Sequence, residues 1–519
     1  MKKIIIAFLG CMIFLGGCNE DVLNLKNPSA YDESSYFKTQ KECQEAVASC
    51  YSVLTQRPFW ARDWYFMFDL LTGQAINTTN LEAQLTQFDT YTYVQDSEYI
   101  GWAWLGFYRM SLRALLAIEK ITAWEAKTDT EKANKERYLG EAYFFHGFAY
   151  YHLTELWGDV PYHDSWESIR NEPVTARIPY AEVQLKVEEA FNTAISKLPE
   201  AWETNYLGRA TKDAARAMLG KLYMAQGNYD KALQAFESIK ASAYHADFYK
   251  LFARGNHTSP EIIFQVLHKF WSGNAYYMWG GKESTKAAQC GRHLEFGFND
   301  WNNVSIGNGA TERFRYTING HAYLDPRNQL TMYGDGEMGD NDFAGGEFHY
   351  LPYVSGTALT GFKWKKYCQY EDYKNMIIDD GDYSSILIRV ADIKLLMAEA
   401  YIGKSDYTRA LSLINEVRTR TAVQAEPYAD MNAGNAFEIL KRERYIELFG
   451  EQHYWFDLVR WDRQGKIDMI ADIREVKGKT EAIDEKYRVM ISAKHKKFPI
   501  PTQEKDTNPH MVVNADDWN

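Results

Sequence analysis

The sequence predicts an all-α fold: a tetratricopeptide-like scaffold of helical repeats, with a large irregular, loop-rich insertion that carries a few short strands. Three observations lead there. Apolar residues recur at three- and four-residue spacing over about 29–240 and again over 386–472, the period of helices with a buried face. Two segments share one repeat frame. Leu219-Gly220-x2-Tyr223 is followed by Ala232-x3-Phe236, and Tyr401 is followed at the same interval by Ala410, with Ile414 in place of Phe. Between them, residues 241–385 lose the helical period and gain glycines and clustered rings.

Taken in order, the chain opens on "MKKIIIAFLGCMIFLGGC". Lys2 and Lys3, an apolar run and then Gly16-Gly17-Cys18 read as a signal peptide over 1–17, too short to span a membrane. The ending resembles a bacterial lipobox, which makes Cys18 the expected lipidated residue and 18–28 a polar tether. Several acyl chains there would give stable anchoring.

The first helical region, 29–240, contains "KTQKECQEAVASCYSVL", "GWAWLGFYRMSLRALLAIEKI" and "PYAEVQLKVEEAFNTAISKLP". The last is bracketed by Pro179 and Pro199, which suit a helix start and stop. "YLGEAYFFHGFAYYHLTELWGDVPY" places Leu139-Gly140-x2-Tyr143 on the repeat frame. Its rings therefore read as a packed first helix, paired with the helix from Tyr180 to Leu198 through Ala190 and Ala194. Gly158 suits the residue that ends a helix, and Pro161 prevents its continuation. In the insertion, 241–385, "EIIFQVLH" reads as a strand. Helices resume over 386–472, and 473–519 reads as a tail with few helical signals.

Composition excludes some partners. The net charge of −12, with no basic run longer than Lys496-Lys497, disfavours nucleic acid and anionic membrane surfaces. Cys43 and Cys50 are two helical turns apart, about 10 Å, too far for a disulfide. No C-x-x-C occurs, and whether Cys290 and Cys368 pair is left open. His146 and His152 are six residues apart, on different helix faces, and so make no metal pair. The acidic run with Asp335, Glu337, Asp340 and Asp342 lacks EF-hand spacing and reads as a solvated loop, with a weak calcium site as the alternative.

Several stretches together resemble the SusD/RagB outer-membrane lipoproteins of Bacteroidetes. "YLGEAYFFHGFAYYHLTELWGDVPY" is similar to the family's aromatic helix and FGDVP-like turn, with Trp157 in the Phe position. "IRVADIKLLMAEAY…ALSLINEVRTRT" is similar to its R-x-A-D and I-N-x-V-R segments. "ILKRERYIELFGEQHYWFDLVRWDRQG" resembles its signature, through Glu443, Arg444, Glu447, Leu448, Glu451, Trp455, Phe456, Asp457, Leu458, Arg460 and Trp461. There His453-Tyr454 stands where an arginine is usual. "FPIPTQEKDTNP" resembles the family's terminal motif, and the acidic residues after Cys18 resemble the export signal of surface lipoproteins. The resemblance implies an extracellular, lipid-anchored glycan-binding protein at the outer membrane, acting as a lid on a SusC-like TonB-dependent transporter. It implies no catalytic activity; the residues themselves call for no metal or cofactor beyond that weak calcium alternative.

The signature's opposite charges at helical spacing read as structural ion pairs rather than as an acid–base site. The rings of the insertion are the better binding candidates, because the apolar face of a pyranose stacks on an indole or phenol while its hydroxyls need polar partners. "WSGNAYYMWGG" supplies Trp271, Asn274, Tyr276, Tyr277 and Trp279, and "FNDWNN" supplies Trp301. The loop "NTTNLEAQLTQFDTYTY" adds Asn80, Phe88, Tyr91 and Tyr93. A second reading is a peptide-binding module, since tetratricopeptide grooves hold peptides. A third is a glycan-cleaving enzyme, which would need two carboxylates flanking one cleft.

Overall fold

The computed structural model describes residues 37–77, 81–268, 290–296, 303–333, 338–344, 347–352, 362–368, 383–482, 485, 488–512 and 518. Helix α1 (Gln40–Leu54) starts at a capping box: the Thr39 hydroxyl accepts from Glu42 N at 3.3 Å, and the Glu42 carboxylate accepts from Thr39 N at 2.8 Å. After a tight turn at Arg57–Ala61 come α2 (Asp63–Leu71), strand β1 (Ala75–Asn77) and α3 (Ala83–Thr90). The long helices α4 (Glu98–Ala123) and α5 (Asp129–Trp157) follow.

Helix α5 is the aromatic stretch, and nearly all of it beyond Tyr138 is buried. It packs on α6 (Tyr180–Lys197) as the repeat frame requires. A Cβ on Gly140 would sit 2.9 Å from Leu198 N, and one on Gly147 would sit 3.0 Å from the Phe191 ring. Gly158 ends the helix at φ +80°. The next pair is α7 (Lys212–Ala225) with α8 (Tyr229–Glu237), turned at Gly227 (φ +71°) and capped by Asn228. The pair α9 (Val390–Gly403) with α10 (Tyr407–Thr419) repeats the device with Ser405 (φ +60°) and an Asp406 cap. The repeated spacing seen in sequence is thus a repeated turn.

The frame's glycine has a measurable role. A Cβ on Gly220 would lie 2.2 Å from the Phe236 ring, so the glycine lets α7 and α8 approach around that phenylalanine. Gly220→Ala is expected to destabilise the fold by about 1–3 kcal/mol through overpacking, read as a lower urea midpoint with an unchanged slope.

The insertion contributes short elements. "EIIFQVLH" forms β2 (Ile262–Leu267), as its apolar run suggests. β3 (Val304–Ile306) pairs antiparallel with β1, and β2 pairs antiparallel with β4 (Ser384–Arg389), which leads straight into α9. Met338–Ala344 pairs with Glu347–Pro352. The signature forms α11 (Ala436–Glu447) and α12 (Tyr454–Arg463). A further helix, α13 (Met469–Glu481), extends past residue 472, where the sequence pattern had faded. Its start is fixed by the Asp468 side chain, which accepts from Ile470 N at 2.9 Å, and its buried face is sparse: Met469, Ile473, Val476 and Thr480.

The tail lies across the body. Phe498 N donates to Leu156 O at 2.7 Å, and Trp157 Nε1 donates to Pro499 O at 2.9 Å. Cys43, Cys50, Cys290 and Cys368 are all buried free thiols, so the pair left open at 290 and 368 is not a disulfide here. Among the described residues no helix is long and apolar enough to cross a membrane. Cys18 lies outside them.

Candidate functional site

The turn Arg57–Ala61 and the start of α2 gather the bases of the insertion's loops. Pro58 opens this turn, and Phe59 breaks it with a non-helical backbone. Arg62, which follows the turn, becomes an anchor. Arg62, fully buried, donates from Nε to Glu295 at 2.5 Å and from Nη2 to Glu82 at 3.0 Å. Asn303 closes the cluster through its own amide, donating to the Glu295 carboxylate. Glu82 lies just after residues 78–80, while Glu295 and Asn303 flank 297–302. One guanidinium therefore joins the described residues beside both segments.

Strand pairing agrees. Asn77, the last residue of β1, is opposite Val304, the first of β3, so β1 ends and β3 begins at the same end of that sheet. Leu267 is opposite Ser384 in the second sheet. His268 bonds Ser385 Oγ at 2.9 Å, and that hydroxyl donates to Trp60 O at 3.4 Å. The segment that returns at Cys290 is pinned by Arg292, which donates to Asp69 at 2.8 Å and lies against Tyr367 (4.5 Å) and Phe296 (4.9 Å). Thus the described residues that flank 78–80, 269–289, 297–302 and 369–382 are gathered around one platform, Arg57–Asp69.

Charge at the rim is internally matched. Arg57 donates to Asp63 (3.3 Å) and to Tyr99 OH (3.1 Å). Burial pushes Asp63 up to about 7, against the pull of Arg57 and Arg62, and pushes Asp69 up to about 6, against Arg292. Trp102, half-buried near the start of α4, lies beside this rim, with the Arg57 guanidinium 5.2 Å from its ring centre. The sequence reading did not nominate Trp102. Its signal was a tryptophan in the second turn of a helix that follows a polar stretch.

Of the predicted ligand contacts, Trp271, Asn274, Tyr276, Tyr277, Trp279, Trp301 and Asn80 lie outside the described residues. Phe88, Tyr91 and Tyr93 do not serve as exposed stacking rings. They are 0%, 1% and 1% exposed. Phe88 stacks on Tyr93 at 5.0 Å, Tyr91 OH donates to Leu71 O at 2.5 Å, and Tyr93 packs on Phe498 (5.9 Å) and Trp518 (5.3 Å). The tail, some four hundred residues downstream, covers them, so a local reading could not show their burial.

The signature charges are structural pairs, as their spacing suggested. Arg444 donates to Asp457 (2.7 and 2.8 Å) and Asp392 (3.1 Å), and Arg460 donates to Glu399 and Asp457 (2.7 and 2.8 Å). Glu443 and Glu447 accept from Arg327, Arg418, Arg420 and Arg389 in a fully buried network that reaches into the insertion. Burial alone would raise Glu447, but Arg420, Arg389 and Arg327 outweigh it and hold the carboxyl well below its usual range. Tyr454, where the resemblance expects arginine, receives a hydrogen bond from Arg313 of the insertion and donates to Asp472 at 2.9 Å.

The histidines of the aromatic helix are core groups. His146 bonds Ser111 Oγ (3.0 Å) and Tyr162 OH (3.2 Å), and His152 bonds Phe148 O (2.8 Å). Among the described residues no group of three potential metal ligands occurs. Asp335 and Glu337 lie outside them, as do the side chains of Asp340 and Asp342. The inner face of the first repeat helices is filled by Trp60, Trp64 and Phe456, which leave a cavity of about 70 Å³.

Comparison with known proteins matches this architecture. A model described as "SusD family" matches residues 274–518, and one described as "Starch-binding associating with outer membrane" matches residues 21–224. A SusD-like protein of Formosa agariphila is 22% identical over 502 residues, covering 92% of each chain. The crystal structure of a SusD-like carbohydrate-binding protein from Bacteroides fragilis superposes with a TM-score of 0.74 at 19% identity, covering 92% of this chain and 100% of that one. A laminarin-binding SusD-like protein superposes with a TM-score of 0.71 at 20% identity, covering 92% and 99%.

Proposed function

Because this chain belongs to the SusD family, we propose that it captures a glycan at the rim of the Arg57–Asp69 platform and delivers oligosaccharides to a SusC-like TonB-dependent transporter. A lipid on Cys18 holds it at the outer membrane, facing outward, and it acts by binding, without catalysis and without a required metal or cofactor. The observation that carries this reading is that the described residues flanking four segments, 78–80, 269–289, 297–302 and 369–382, converge on one platform, with the half-buried Trp102 beside them. The sequence of those four segments contains most of the aromatic and amide residues expected to contact a ligand. Solved relatives described as carbohydrate-binding and laminarin-binding support the ligand class.

The peptide reading asks for an open concave face on the repeats. That face is packed by Trp60, Trp64 and Phe456, which leaves it little support.

The test is glycan binding by residues 19–519. Trp271→Ala, Trp279→Ala and Trp301→Ala are each expected to weaken binding about tenfold, and Trp102→Ala by a similar factor, with unchanged thermal unfolding. Normal binding by all four variants would overturn the site assignment. Binding of peptides but no glycan would replace the function.

A further inference from the structure

We propose that a groove along strand β2 is a second stretch of glycan-binding surface, continuous with the rim, which takes a neutral oligosaccharide. The inference rests on the glycan-binding reading and extends it to a ligand class and a chain length. Two hollows of about 320 and 300 Å³ meet beneath the ridge Tyr206-Leu207-Gly208-Arg209. All six residues of β2 line one hollow or the other, so the floor runs about 20 Å, the reach of several sugar units rather than one. The far wall is the outer face of α1: Gln44, Ala48, Tyr51 and Thr55, at helical spacing.

The groove ends at the rim. Leu267, the last residue of β2, precedes His268, which is clasped to Ser385, and Thr55 lies two residues before Arg57.

The chemistry of the lining selects the ligand. Among the described residues four charged side chains line it, and all are satisfied within the protein. Glu200 and Asp213 pair with Arg216 (2.8 and 2.9 Å), Glu203 pairs with Arg137 (3.1 Å), and Arg209 pairs with Glu141 (2.7 Å). No charge is left for a uronate or a sulfate. What faces the groove is hydroxyl and amide, from Thr204, Asn205, Thr258, Gln44 and Thr55, beside the half-buried Trp202 and Tyr206 and the 42% exposed Leu207. This mixture of rings and uncharged polar groups suits a sugar's apolar face and its hydroxyls.

Gln265, 5% exposed, sits where the hollows meet. Its amide donates to His257 O at 2.7 Å, and its amide oxygen has no partner among the described residues, an acceptor left for a sugar hydroxyl or a bridging water. The ridge is fixed: Gly208 has φ +84°, and a Cβ there would lie 2.7 Å from Leu267.

The experiment uses residues 19–519 in affinity gels containing laminarin, soluble starch, galactomannan, alginate or chondroitin sulfate. Titration follows, with the polymer that binds and with its trisaccharide. Ala48→Trp fills the groove from an exposed position, and Tyr206→Ala/Leu207→Ala strips the ridge. Thermal unfolding checks that both variants fold. Both should lower affinity for the polymer about tenfold and leave the trisaccharide unaffected, whereas Trp102→Ala weakens both ligands. Unchanged polymer affinity in either folded variant, or an equal loss for the trisaccharide, overturns the groove while the rim stands. Binding of the anionic polymers alone overturns the neutral-ligand assignment. Binding of no polymer by the parent chain overturns the groove and the glycan reading together.

Discussion

Replacing Arg389 with alanine is expected to destabilise the protein by about 3–5 kcal/mol, read from chemical denaturation at pH 7. The guanidinium is fully buried and reaches three carboxylates: Glu261 at 2.8 Å, Glu447 at 2.7 Å and Glu451 at 2.7 and 2.8 Å. Its Nη2 also donates to Glu447 O at 2.8 Å. Removing it strands negative charge in a site from which water is excluded, which costs more than the pairs themselves contribute. The position also matters for architecture. Arg389 ends β4, and its partners lie beside β2 and on the signature segment, so it joins insertion to scaffold. Glu447 and Glu451 are both held below the usual carboxylate value, with burial opposing and the cations outweighing it. Their contribution is present above the unfolded value near 4.3 and is lost as pH falls through the lower folded value. The gap between Arg389→Ala and the parent should therefore narrow under acid. An equal gap at pH 7 and pH 3 would show that lost packing, not stranded charge, sets the cost.

Acid should also act through the aromatic helix. Burial holds His152 down at about 3, with the Phe148 carbonyl opposing and Lys221 adding to the shift. Its ring is stacked on Phe107 at 5.2 Å and surrounded by Trp64, Phe148 and Phe456. The folded value lies below the unfolded value near 6.5, so the unfolded chain takes the proton first as pH falls. The histidine's contribution is complete above about 6.5 and drains away toward 3. Between pH 7 and pH 4 the loss is about 3 kcal/mol. His146, held at about 4 by burial, adds in the same direction. Asp63 and Glu141, lifted by burial to about 7, work oppositely: their contribution is present at low pH and is lost as pH rises through 7. His152→Phe isolates the histidine. The variant should lose about 3 kcal/mol less than the parent between pH 7 and pH 4. Identical pH profiles would show that His152 titrates normally.

The repeat scaffold was legible because its determinants are local. Gly220 and Phe236 are sixteen residues apart on one hairpin, and Gly227 and Asn228 set the turn between them. The helix from Tyr180 to Lys197 could be bounded from its flanking prolines for the same reason. Helix α13 was less legible, since its buried face is broken by charged residues and Gly478. The rings Phe88, Tyr91 and Tyr93 were misjudged because a polar loop and exposed aromatics look alike until a distant segment covers them. Trp102 went unnominated for the converse reason. Its neighbours suggested a packed helix, and only Arg57 against one face shows it at a rim.

By itself, the sequence determined the class of fold, the boundaries of most helices, the family and the structural role of the signature charges. Each follows from spacing along a few helical turns, where neighbours in sequence are neighbours in space. Tertiary structure alone decided which rings are covered, that Arg62 ties Glu82 to Glu295, and that residues distant in sequence share one platform. Those facts depend on contacts between residues tens to hundreds of positions apart, made by strand pairing and buried charge, and no local period records them.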